Sequence, residues 1–387
     1  MMSRPLRVLH IIGGLQCGGA EALLYRLATR RSQIHHEIIA LSSPDWYTPL
    51  LERSGIAVRH LNARSLASAP RAFPKLIEHI RRSRADVVQS WMYKSNILAG
   101  LVARRERIPV VWGIHTSSFE GIGLASRVAA RIGGRWAPQL ADFVINCSSR
   151  SAEMHSEFGY SKVNNAVIPN GYDPAVFFPD EKARISARSE LGVEDGSFLA
   201  GTVARWNPQK DIPNLISAIE IGRAQGSPLR YMLAGRNLDE RNLELVAALE
   251  RARCRDFVIL LGERPDVHNL YRAMDLHVLP SCGGEAFPNV VAESMLSGAP
   301  NVVTDVGDAA VIVGGTGWVV APRDPQSLAS AIGEAFGEYR SRPKAWQDRR
   351  AAARAHVADR FTLDRMAAAY EEIWRRAADH TLGDLAR

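Results

Sequence analysis

Two glutamates eight positions apart are the side chains whose type and spacing point most directly to chemistry. They are Glu285 and Glu293, in the stretch GGEAFPNVVAES (283–294). Glu285 lies in a glycine-flanked loop, and Glu293 falls in a helix that we expect to carry Pro288 in its first turn and to end at Gly298. A carboxylate there can accept both hydroxyls of a vicinal diol such as a ribose. The simpler alternative is a loop acid followed by a carboxylate that the helix dipole favours.

The start of the same helix offers backbone donors to an anion. The first N–H groups of a helix have no partner within it, so those near Phe287, Asn289 and Val290 can hold phosphate or sugar oxygens. Asn289 and Glu293 lie four positions apart and share one helix face. We therefore expect Glu293 at the ribose end of an extended ligand and Glu285 at its other end.

Two cations form a second group. Arg205 and Lys210 lie five positions apart in VARWNPQKD (203–211), across a Trp-Asn-Pro turn that follows a predicted strand. A planar guanidinium and a mobile ammonium together suit a diphosphate. Each cation could instead be an ordinary solvated surface residue.

The first half of the chain carries two further candidates. The stretch GGLQCGGAEALL (13–24) follows the first strand, and its glycines allow close approach of the backbone to a phosphate or sugar, or simply a tight turn. It is not GxGxxG, and the second strand ends at Ser42 and Ser43 instead of an acidic residue, so an NAD site is not favoured. His115 ends another strand and is either near a reacting group or a hydrogen-bonded structural histidine.

The elements that must position these residues alternate between short β-branched runs and longer helical patterns. This alternation is typical of parallel strands joined by crossover helices. The predicted strands, six in each half, are LRVLHII, HEIIALS, DVVQS, PVVWGI, DFVINCS, NAVIPN, SFLAGTVAR, RYMLAG, DFVILLG, DLHVLPS, PNVVTD and GWVVAP. We predict an α/β fold of two doubly wound, Rossmann-like domains facing across a cleft, where the carboxyl ends of open sheets bind ligands.

The domain boundary is predicted from turn-forming residues. The stretch PNGYDPAVFFPDEK (169–182) combines Asn-Gly with three prolines, so we place the linker there. The predicted domains are 1–175 and 183–361. A C-terminal helix within 362–380 has an apolar face, and we expect it to cross back onto the first domain.

Composition excludes several classes of protein. The 387 residues are 46% hydrophobic and 23% charged, as in soluble globular proteins, and no apolar run approaches the roughly 18–20 residues that span a bilayer. Four scattered cysteines without a CxxC pair argue against disulfides and zinc and favour the cytoplasm. There is no nucleic-acid module signature and no metal-ligand spacing near the motifs. We expect neither nucleic acid nor a metal ion.

The positive charge is concentrated in the first half of the chain. Residues 1–180 have 22 Lys and Arg against 13 Asp and Glu, a balance of +9, whereas the remainder has 26 against 28, a balance of −2. The segment IGLASRVAARIGGRWA (122–137) places arginines on one helical stripe beside an apolar stripe, as in helices that lie on anionic membranes. We favour the alternative in which the apolar stripe packs on the core and the arginines face water.

Together, these stretches resemble the retaining family 4 glycosyltransferases of the GT-B fold, over nearly the whole chain. EAFPNVVAE carries the family's two glutamates, and GGAE after the first strand is the next most specific match. The resemblance implies a nucleotide sugar bound mainly by the second domain and an acceptor held by the first. It implies transfer of a hexose, from a UDP-sugar in preference to a GDP-sugar, to a glycan or lipid-linked acceptor in polysaccharide, lipopolysaccharide or capsule biosynthesis. The inner face of the membrane then becomes a second predicted location.

The resemblance also assigns roles. Glu293 would hold the ribose, Glu285 would face the donor sugar, and Arg205 and Lys210 would clamp the diphosphate. The remaining contacts to sugar or phosphate would come from Phe287, Asn289, Val290, Gly18 and Gly19, with His115 near the reacting sugar. No metal is needed when cations take the charge of the leaving diphosphate.

The chain departs from the family pattern at three positions, in two stretches that contain the cations. Ala204-Arg205-Trp206 stands where Gly-Arg-Leu is usual, and Gln209-Lys210-Asp211 stands where Gln-Lys-Gly is usual. Both cations are kept, but the neighbouring loop is altered, which bears on the identity of the donor.

Three alternative functions fit the same architecture. An epimerase would turn over the donor without an acceptor, and a phosphorylase would need a pyridoxal-binding lysine in the second domain. A non-catalytic nucleotide-sugar-binding protein would not need to retain Arg205, Lys210, Glu285 and Glu293.

Overall fold

The computed structural model describes residues 4–63, 69–119, 123–194 and 196–385. The chain divides into two compact units. The first comprises Met1–Gly171 together with Leu363–Arg387, and the second comprises Tyr172–Thr362.

In the described part of the first unit, seven strands form one parallel sheet in the order β3-β2-β1-β4-β5-β6-β7. Its strands are β1 (Arg7–Ile12), β2 (His35–Ala40), β3 (Ala57–His60), β4 (Val87–Trp91), β5 (Val110–Ile114), β6 (Phe143–Asn146) and β7 (Asn164–Val167). Its helices are α1 (Gly19–Thr29), α2 (Thr48–Arg53), α3 (Ala69–Ser83), α4 (Tyr93–Arg105), α5 (Leu124–Leu140), α6 (Ser149–Ser156) and α15 (Leu363–Leu385).

The second unit repeats this plan with six described strands in the order β10-β9-β8-β11-β12-β13. Its strands are β8 (Leu199–Val203), β9 (Arg230–Ala234), β10 (Val258–Gly262), β11 (Leu276–Leu279), β12 (Asn301–Thr304) and β13 (Trp318–Val320). Its helices are α7 (Glu181–Glu190), α8 (Ile212–Ala224), α9 (Leu243–Arg251), α10 (Val267–Ala273), α11 (Asn289–Leu296), α12 (Ala309–Val313), α13 (Pro325–Ser341) and α14 (Pro343–Arg360).

The strand order of both sheets reverses at one point, between β1 and β4 and between β8 and β11. At such a switch point the two neighbouring crossovers leave on opposite faces of the sheet, and a crevice opens at the carboxyl ends of the strands. The loops after β8 and β11, which carry the predicted cations and Glu285, flank this point in the second unit.

The sequence predicted six strands in the first half, and the described structure has one more. The missed strand is β3 (Ala57–His60), an edge strand whose residues alternate between exposed and half-buried positions. The central strands are recognisable because burial on both faces requires continuous apolar runs, as in β5. An edge strand is not subject to that requirement.

Helix α15 belongs to the core of the first unit, although it lies at the end of the chain. Met366, Tyr370 and Trp374 are buried there among side chains of β1, β2 and β4. The indole N–H of Trp374 donates to Gln89 Oε1 at 2.9 Å. The apolar face predicted for the C-terminal helix is therefore the face that the first unit buries.

Helix α5 corrects the prediction made for segment 122–137, of which residue 122 lies outside the described residues. We expected the stripe of large apolar side chains to pack on the core. The residues of that stripe are exposed by 38–77%: Leu124, Val128, Ile132 and Trp136. The helix instead buries Ala130, Gly133, Gly134 and Ala137.

A pair of buried histidines lies between the sheet of the first unit and α15. His10 Nε2 is 2.9 Å from His36 Nδ1, and the indole N–H of Trp91 donates to His10 Nδ1 at 3.3 Å. Because the acceptor nitrogen of His10 is Nδ1, its proton lies on Nε2 and is donated to His36. Burial lowers the pKa of His36 to about 4, and the pKa of His10 is also well below its ordinary value. Both rings are neutral at pH 7.

This pair predicts a loss of stability in mild acid. Because the folded chain holds His36 at a pKa of about 4, against 6.5 when unfolded, the unfolded chain binds more protons between these values. The contribution to stability is complete above pH 6.5 and is lost as the pH falls towards 4. The free energy of unfolding, measured with urea, should fall between pH 7.5 and pH 5 in both proteins. We expect that fall to be about 2 kcal/mol smaller in His36→Gln than in the parent chain. An identical pH dependence in both would contradict this assignment.

Candidate active site

Two loops meet at the switch point of the second unit. The loop after β8 contains a short 3₁₀ turn, Pro208–Lys210, which begins where Asn207 Oδ1 accepts the N–H of Gln209 at 2.7 Å. The loop after β11 is joined to it, because the N–H of Cys282 donates to the carbonyl of Gln209 at 2.9 Å. These bonds hold the end of the turn, and hence Lys210, against the loop that carries Glu285.

The side chains of the two loops form a largely buried ion pair. Lys210 Nζ donates to Glu285 Oε1, and Ser281 Oγ donates to the same oxygen at 2.6 Å. The side chains of Lys210 and Glu285 are only 18% and 7% exposed. Charges this far from water depend strongly on each other, since removing one leaves the other without compensation.

Two glycines allow the loops to approach this closely. Gly284 has φ +73°, and a Cβ there would lie 2.4 Å from Gln209 Cδ. Gly307, in the loop after β12, has φ +58°, and a Cβ there would lie 2.3 Å from the carbonyl oxygen of Glu285. The N–H of Asp308 donates to the carbonyl of Ala286 at 2.9 Å. The loops after three neighbouring strands of the sheet, β8, β11 and β12, thus fix the backbone around Glu285.

Helix α11 presents Asn289 and Glu293, each held by a tyrosine hydroxyl. Tyr172 donates to Asn289 Oδ1 at 2.7 Å, and Tyr271 donates to Glu293 Oε2 at 3.1 Å. Glu293 is 9% exposed. Because both acceptors lie four residues apart on one helix, the tyrosines orient one continuous polar face.

The start of α11 differs by one position from the prediction. Pro288 is the N-cap residue and not part of the first turn, so the helix begins at Asn289. The ring of Phe287 packs edge-on against Phe361, with 5.1 Å between ring centroids. Phe287 is therefore anchored in the apolar interior, and its contribution to a ligand would come from its backbone.

Arg205 and Lys210 have different surroundings. The guanidinium of Arg205 is exposed and makes no ion pair with any described residue, whereas Lys210 is paired with Glu285. The predicted convergence of both cations on one anion therefore stays a prediction.

The departure from the family pattern at Asp211 has a backbone explanation. Asp211 adopts φ 45° and ψ 46°, a left-handed conformation, and helix α8 begins at the next residue. Glycine adopts this conformation without steric cost, and aspartate is one of the few other residues that tolerate it. The turn after Lys210 is thus retained with a different residue.

His277 is a buried residue of the site region that the sequence analysis did not identify. Its Nδ1 lies 2.5 Å from Asn301 Oδ1, and Asn301 Nδ2 donates to Ser294 Oγ at 3.0 Å, which connects β11, β12 and α11. Burial lowers the pKa of His277 to about 4, so the ring is neutral. A histidine within the apolar strand DLHVLPS was the available signal. Ser281, Tyr172 and Tyr271 carried no such signal.

The candidates of the first unit lie at the ends of β1 and β5. Gly18 is the N-cap of α1 with extended backbone, φ −154°, and Gly19 is the first helical residue. The ring of His115 stacks on Trp91 with 5.1 Å between centroids. Burial lowers its pKa to about 4, and its enclosed Nε2 has no hydrogen-bond partner among the described residues.

Two kinds of feature are absent from the described residues. No group of three or more His, Cys, Asp or Glu side chains there is arranged to hold a metal ion. Nor does any helix in the described ranges combine the length and apolar character needed to traverse a bilayer.

Comparison with known families agrees with this geometry. Residues 17–176 match the profile described as Glycosyltransferase Family 4, and residues 197–337 match that described as Glycosyl transferases group 1. The chain belongs to the family 4 glycosyltransferases. Each of the two units is matched over most of its length by a glycosyltransferase profile.

Two relatives are named enzymes. The glycosyltransferase is 25% identical over 296 residues to the UDP-Gal:alpha-D-GlcNAc-diphosphoundecaprenol alpha-1,3-galactosyltransferase of Escherichia coli, covering 69% of this chain and 70% of that protein. It is 30% identical over 245 residues to the lipopolysaccharide core biosynthesis mannosyltransferase LpcC of Rhizobium leguminosarum, covering 62% of this chain and 66% of that protein.

The solved structure of Anabaena HepE in complex with UDP has the same fold. It superposes with a TM-score of 0.84 at 23% identity, covering 96% of this chain and all of that one. HepE has also been solved with UDP-glucose, with a TM-score of 0.83 at 24% identity. The predicted α/β fold of two Rossmann-like domains, the GT-B fold, is confirmed.

The conformation of Asp211 leads to a prediction about stability. We expect Asp211→Gly to raise the free energy of unfolding by about 0.5–1 kcal/mol, because glycine adopts a positive φ without steric cost. Asp211→Val should lower it by about 1–2 kcal/mol, since a β-branched residue is poorly compatible with this conformation. Urea unfolding measures both changes.

Asp211→Asn is the control, because asparagine tolerates the same conformation without the charge. It should leave stability within about 0.5 kcal/mol of the parent chain. A stabilising effect of Asn as large as that of Gly would show that relief of the charge, and not of the backbone, is responsible.

Proposed function

We propose that this glycosyltransferase transfers a hexose, with retention of anomeric configuration, from a nucleoside diphosphate sugar to a lipid-linked or glycan acceptor in surface polysaccharide biosynthesis. The observation that carries the proposal is the Lys210–Glu285 pair, held at the switch point of the second unit beside the polar face of α11. The cation would compensate the negative charge of the leaving group. The carboxylate would compensate the positive charge of the developing oxocarbenium.

A uridine diphosphate sugar is the proposed donor. HepE binds UDP and UDP-glucose, and the name of the relative from Escherichia coli specifies UDP-Gal. That name also specifies a diphosphoundecaprenol-linked acceptor, and the relative from Rhizobium acts in lipopolysaccharide core biosynthesis. A lipid-linked saccharide is therefore our proposed acceptor class.

The roles proposed within the second unit follow from the contacts of each side chain. Glu293, oriented by Tyr271, would accept the ribose hydroxyls, while the backbone of Phe287, Asn289 and Val290 would contact sugar or phosphate oxygens. Glu285 would face the sugar, where positive charge develops in the transition state. Ser281 and Lys210 hold its carboxylate in one orientation before any substrate binds.

The proposed chemistry relies on the two cations. As the bond between the anomeric carbon and the diphosphate breaks, Arg205 and Lys210 would compensate the charge that develops on the leaving oxygen. The acceptor hydroxyl would attack from the face that the diphosphate leaves, and a diphosphate oxygen would take its proton. We assign no nucleophile from the protein and no metal ion to this step.

Proposed roles in the first unit are fewer. Gly18 and Gly19 would bring backbone N–H groups close to the diphosphate, since the first turn of α1 starts there. His115, whose pKa burial lowers to about 4, would lie near the reacting sugar as a neutral imidazole. A neutral imidazole suits positioning of a hydroxyl better than compensation of charge.

Removal of either cation should lower turnover, and removal of Lys210 should also lower stability, because it leaves the buried carboxylate of Glu285 without its cation. We expect Arg205→Ala and Lys210→Ala each to lower turnover of UDP-sugar by about 100-fold or more, because one lost donor to a developing anion costs on the order of 3 kcal/mol. Transfer to acceptor, with excess chelator present throughout, is the measurement. Arg251→Ala, which removes an exposed arginine of α9, is the matched control and should retain parent activity.

Near-parent turnover in either cation variant would remove that residue from the mechanism. Loss of all transfer on chelation, restored by magnesium or manganese, would overturn the metal-independent proposal. Equal consumption of donor with and without acceptor would favour an epimerase over a transferase.

Substitution of Glu293 should mainly affect nucleotide binding, whereas substitution of Glu285 should mainly affect the rate of transfer. We expect Glu293→Gln to weaken UDP binding by about tenfold, since one charged acceptor bond to a hydroxyl contributes roughly 1.5 kcal/mol or more. Glu285→Gln should leave UDP affinity within about threefold and lower turnover by about 100-fold, because its charge acts in the transition state. Calorimetric titration with UDP, GDP and ADP, together with turnover assays, measures both.

Tyr271→Phe is the companion variant for Glu293, because it removes only the hydroxyl that orients the carboxylate. It should weaken UDP binding in the same direction and to a smaller extent. If Glu285→Gln loses nucleotide affinity while Glu293→Gln keeps it, the two assignments are reversed.

A further inference from the structure

Helix α5 is packed with its small residues inward and its large apolar residues outward. Ala130, Gly133, Gly134 and Ala137 are buried, whereas Leu124 and Trp136 are 77% and 43% exposed. Most surface helices of globular proteins bury their large apolar side chains. The exposed apolar stripe of α5 is therefore not explained by the stability of the first unit.

The inner face of α5 has no room for larger residues. A Cβ at Gly134 would lie 2.2 Å from the carbonyl oxygen of Phe158, and a Cβ at Gly133 would lie 2.4 Å from the hydroxyl of Tyr160. That hydroxyl donates to the carbonyl of Ala130 at 3.0 Å. The packing therefore fixes the rotation of the helix and keeps the large side chains in water.

The exposed surface of α5 is also strongly basic. Arg127, Arg131 and Arg135 are exposed, and Leu124–Leu140 contains no acidic residue. Arg127 donates twice to the carbonyl of Phe119, at 3.1 and 2.6 Å, which holds its side chain beside the helix. We call the three arginines and the apolar residues Leu124, Val128, Ile132 and Trp136 the α5 patch.

We propose that the α5 patch docks the glycosyltransferase on an anionic lipid bilayer. The apolar side chains would enter the boundary between headgroups and acyl chains, and the arginines would contact lipid phosphates. A tryptophan at one end of the stripe suits this boundary, because its ring is apolar and its N–H can be hydrated.

Charge favours a bilayer over a second copy of the chain. Two α5 patches facing each other would bring arginines of both copies together, without an acidic residue on either helix to compensate them. An anionic surface compensates all three at once. The surplus of +9 over residues 1–180 adds a longer-range attraction of the same sign.

This inference goes beyond the proposed function and does not depend on it. If membrane docking fails, donor binding and transfer to a soluble acceptor remain measurable with the same protein. If the proposed transfer fails, binding to vesicles is still a direct test of the α5 patch.

The test is co-sedimentation of the full chain with vesicles of phosphatidylcholine alone or with added phosphatidylglycerol. We expect binding to the anionic vesicles to exceed binding to the neutral vesicles by at least tenfold and to weaken as salt is raised. Arg131→Gln/Arg135→Gln should weaken binding by roughly 25-fold, at about fivefold per arginine. Leu124→Ser/Ile132→Ser should weaken it by at least about tenfold.

Matched controls come from the second unit. Leu243, on α9, is 78% exposed, almost the same as Leu124, so Leu243→Ser tests loss of an equally exposed apolar side chain. Arg251→Gln/Arg340→Gln removes two exposed arginines outside the α5 patch. Both control variants should bind anionic vesicles as the parent chain does, and their UDP affinity should be unchanged.

Trp136→Phe separates docking by this helix from docking elsewhere. Phenylalanine keeps the apolar area, so binding should remain within about threefold, while quenching of tryptophan fluorescence by brominated acyl chains should be largely lost. Quenching that persists in Trp136→Phe would place another tryptophan in the bilayer and overturn the proposal.

Equal binding of the parent chain and the α5 variants to anionic vesicles would likewise overturn it. So would concentration-dependent dimerisation, measured by sedimentation without lipid, that Leu124→Ser/Ile132→Ser abolishes. That outcome would assign the α5 patch to contact between copies of the chain.

Discussion

The buried contact of Lys210 with Glu285 sets the constraint to which the rest of the candidate site conforms. Opposite charges removed from water stabilise each other only when their geometry is good and their remaining bonding capacity is used. Ser281 supplies a further bond to the carboxylate, and the joined loops after β8 and β11 limit where the ammonium can lie. This approach requires glycine at position 284, because a side chain there would occupy the space of Gln209.

The same unit orients a second polar group by other means. Tyr172 and Tyr271 each donate to one acceptor on α11, so two phenol hydroxyls contact the polar face that carries Asn289 and Glu293. One carboxylate is thus held by a cation and a hydroxyl, and the other by a phenol. These surroundings suit different tasks, since charge compensation matters in a transition state and hydrogen-bond acceptance matters in the binding of a diol.

In the first unit, burial determines which groups carry charge. The imidazoles of His10, His36 and His115 are enclosed, and desolvation keeps them neutral at pH 7. The positive charge at this pH lies on arginines and lysines, including the arginines of the α5 patch. The buried histidines therefore act as neutral hydrogen-bonding groups, whereas the charged side chains of the surface attract anions.

The sequence by itself determined the fold class and most strands, because strands buried on both faces must be apolar runs and the glycine and proline signals between them are local. It also determined which residue types surround the switch point, including Glu285, Glu293, Arg205 and Lys210. Only the tertiary structure decided that Lys210 pairs with Glu285, since that contact joins loops 75 residues apart. It also decided which stripe of α5 is buried: the periodicity of a helix identifies its faces, but the space beside Phe158 and Tyr160 determines which face can enter the core.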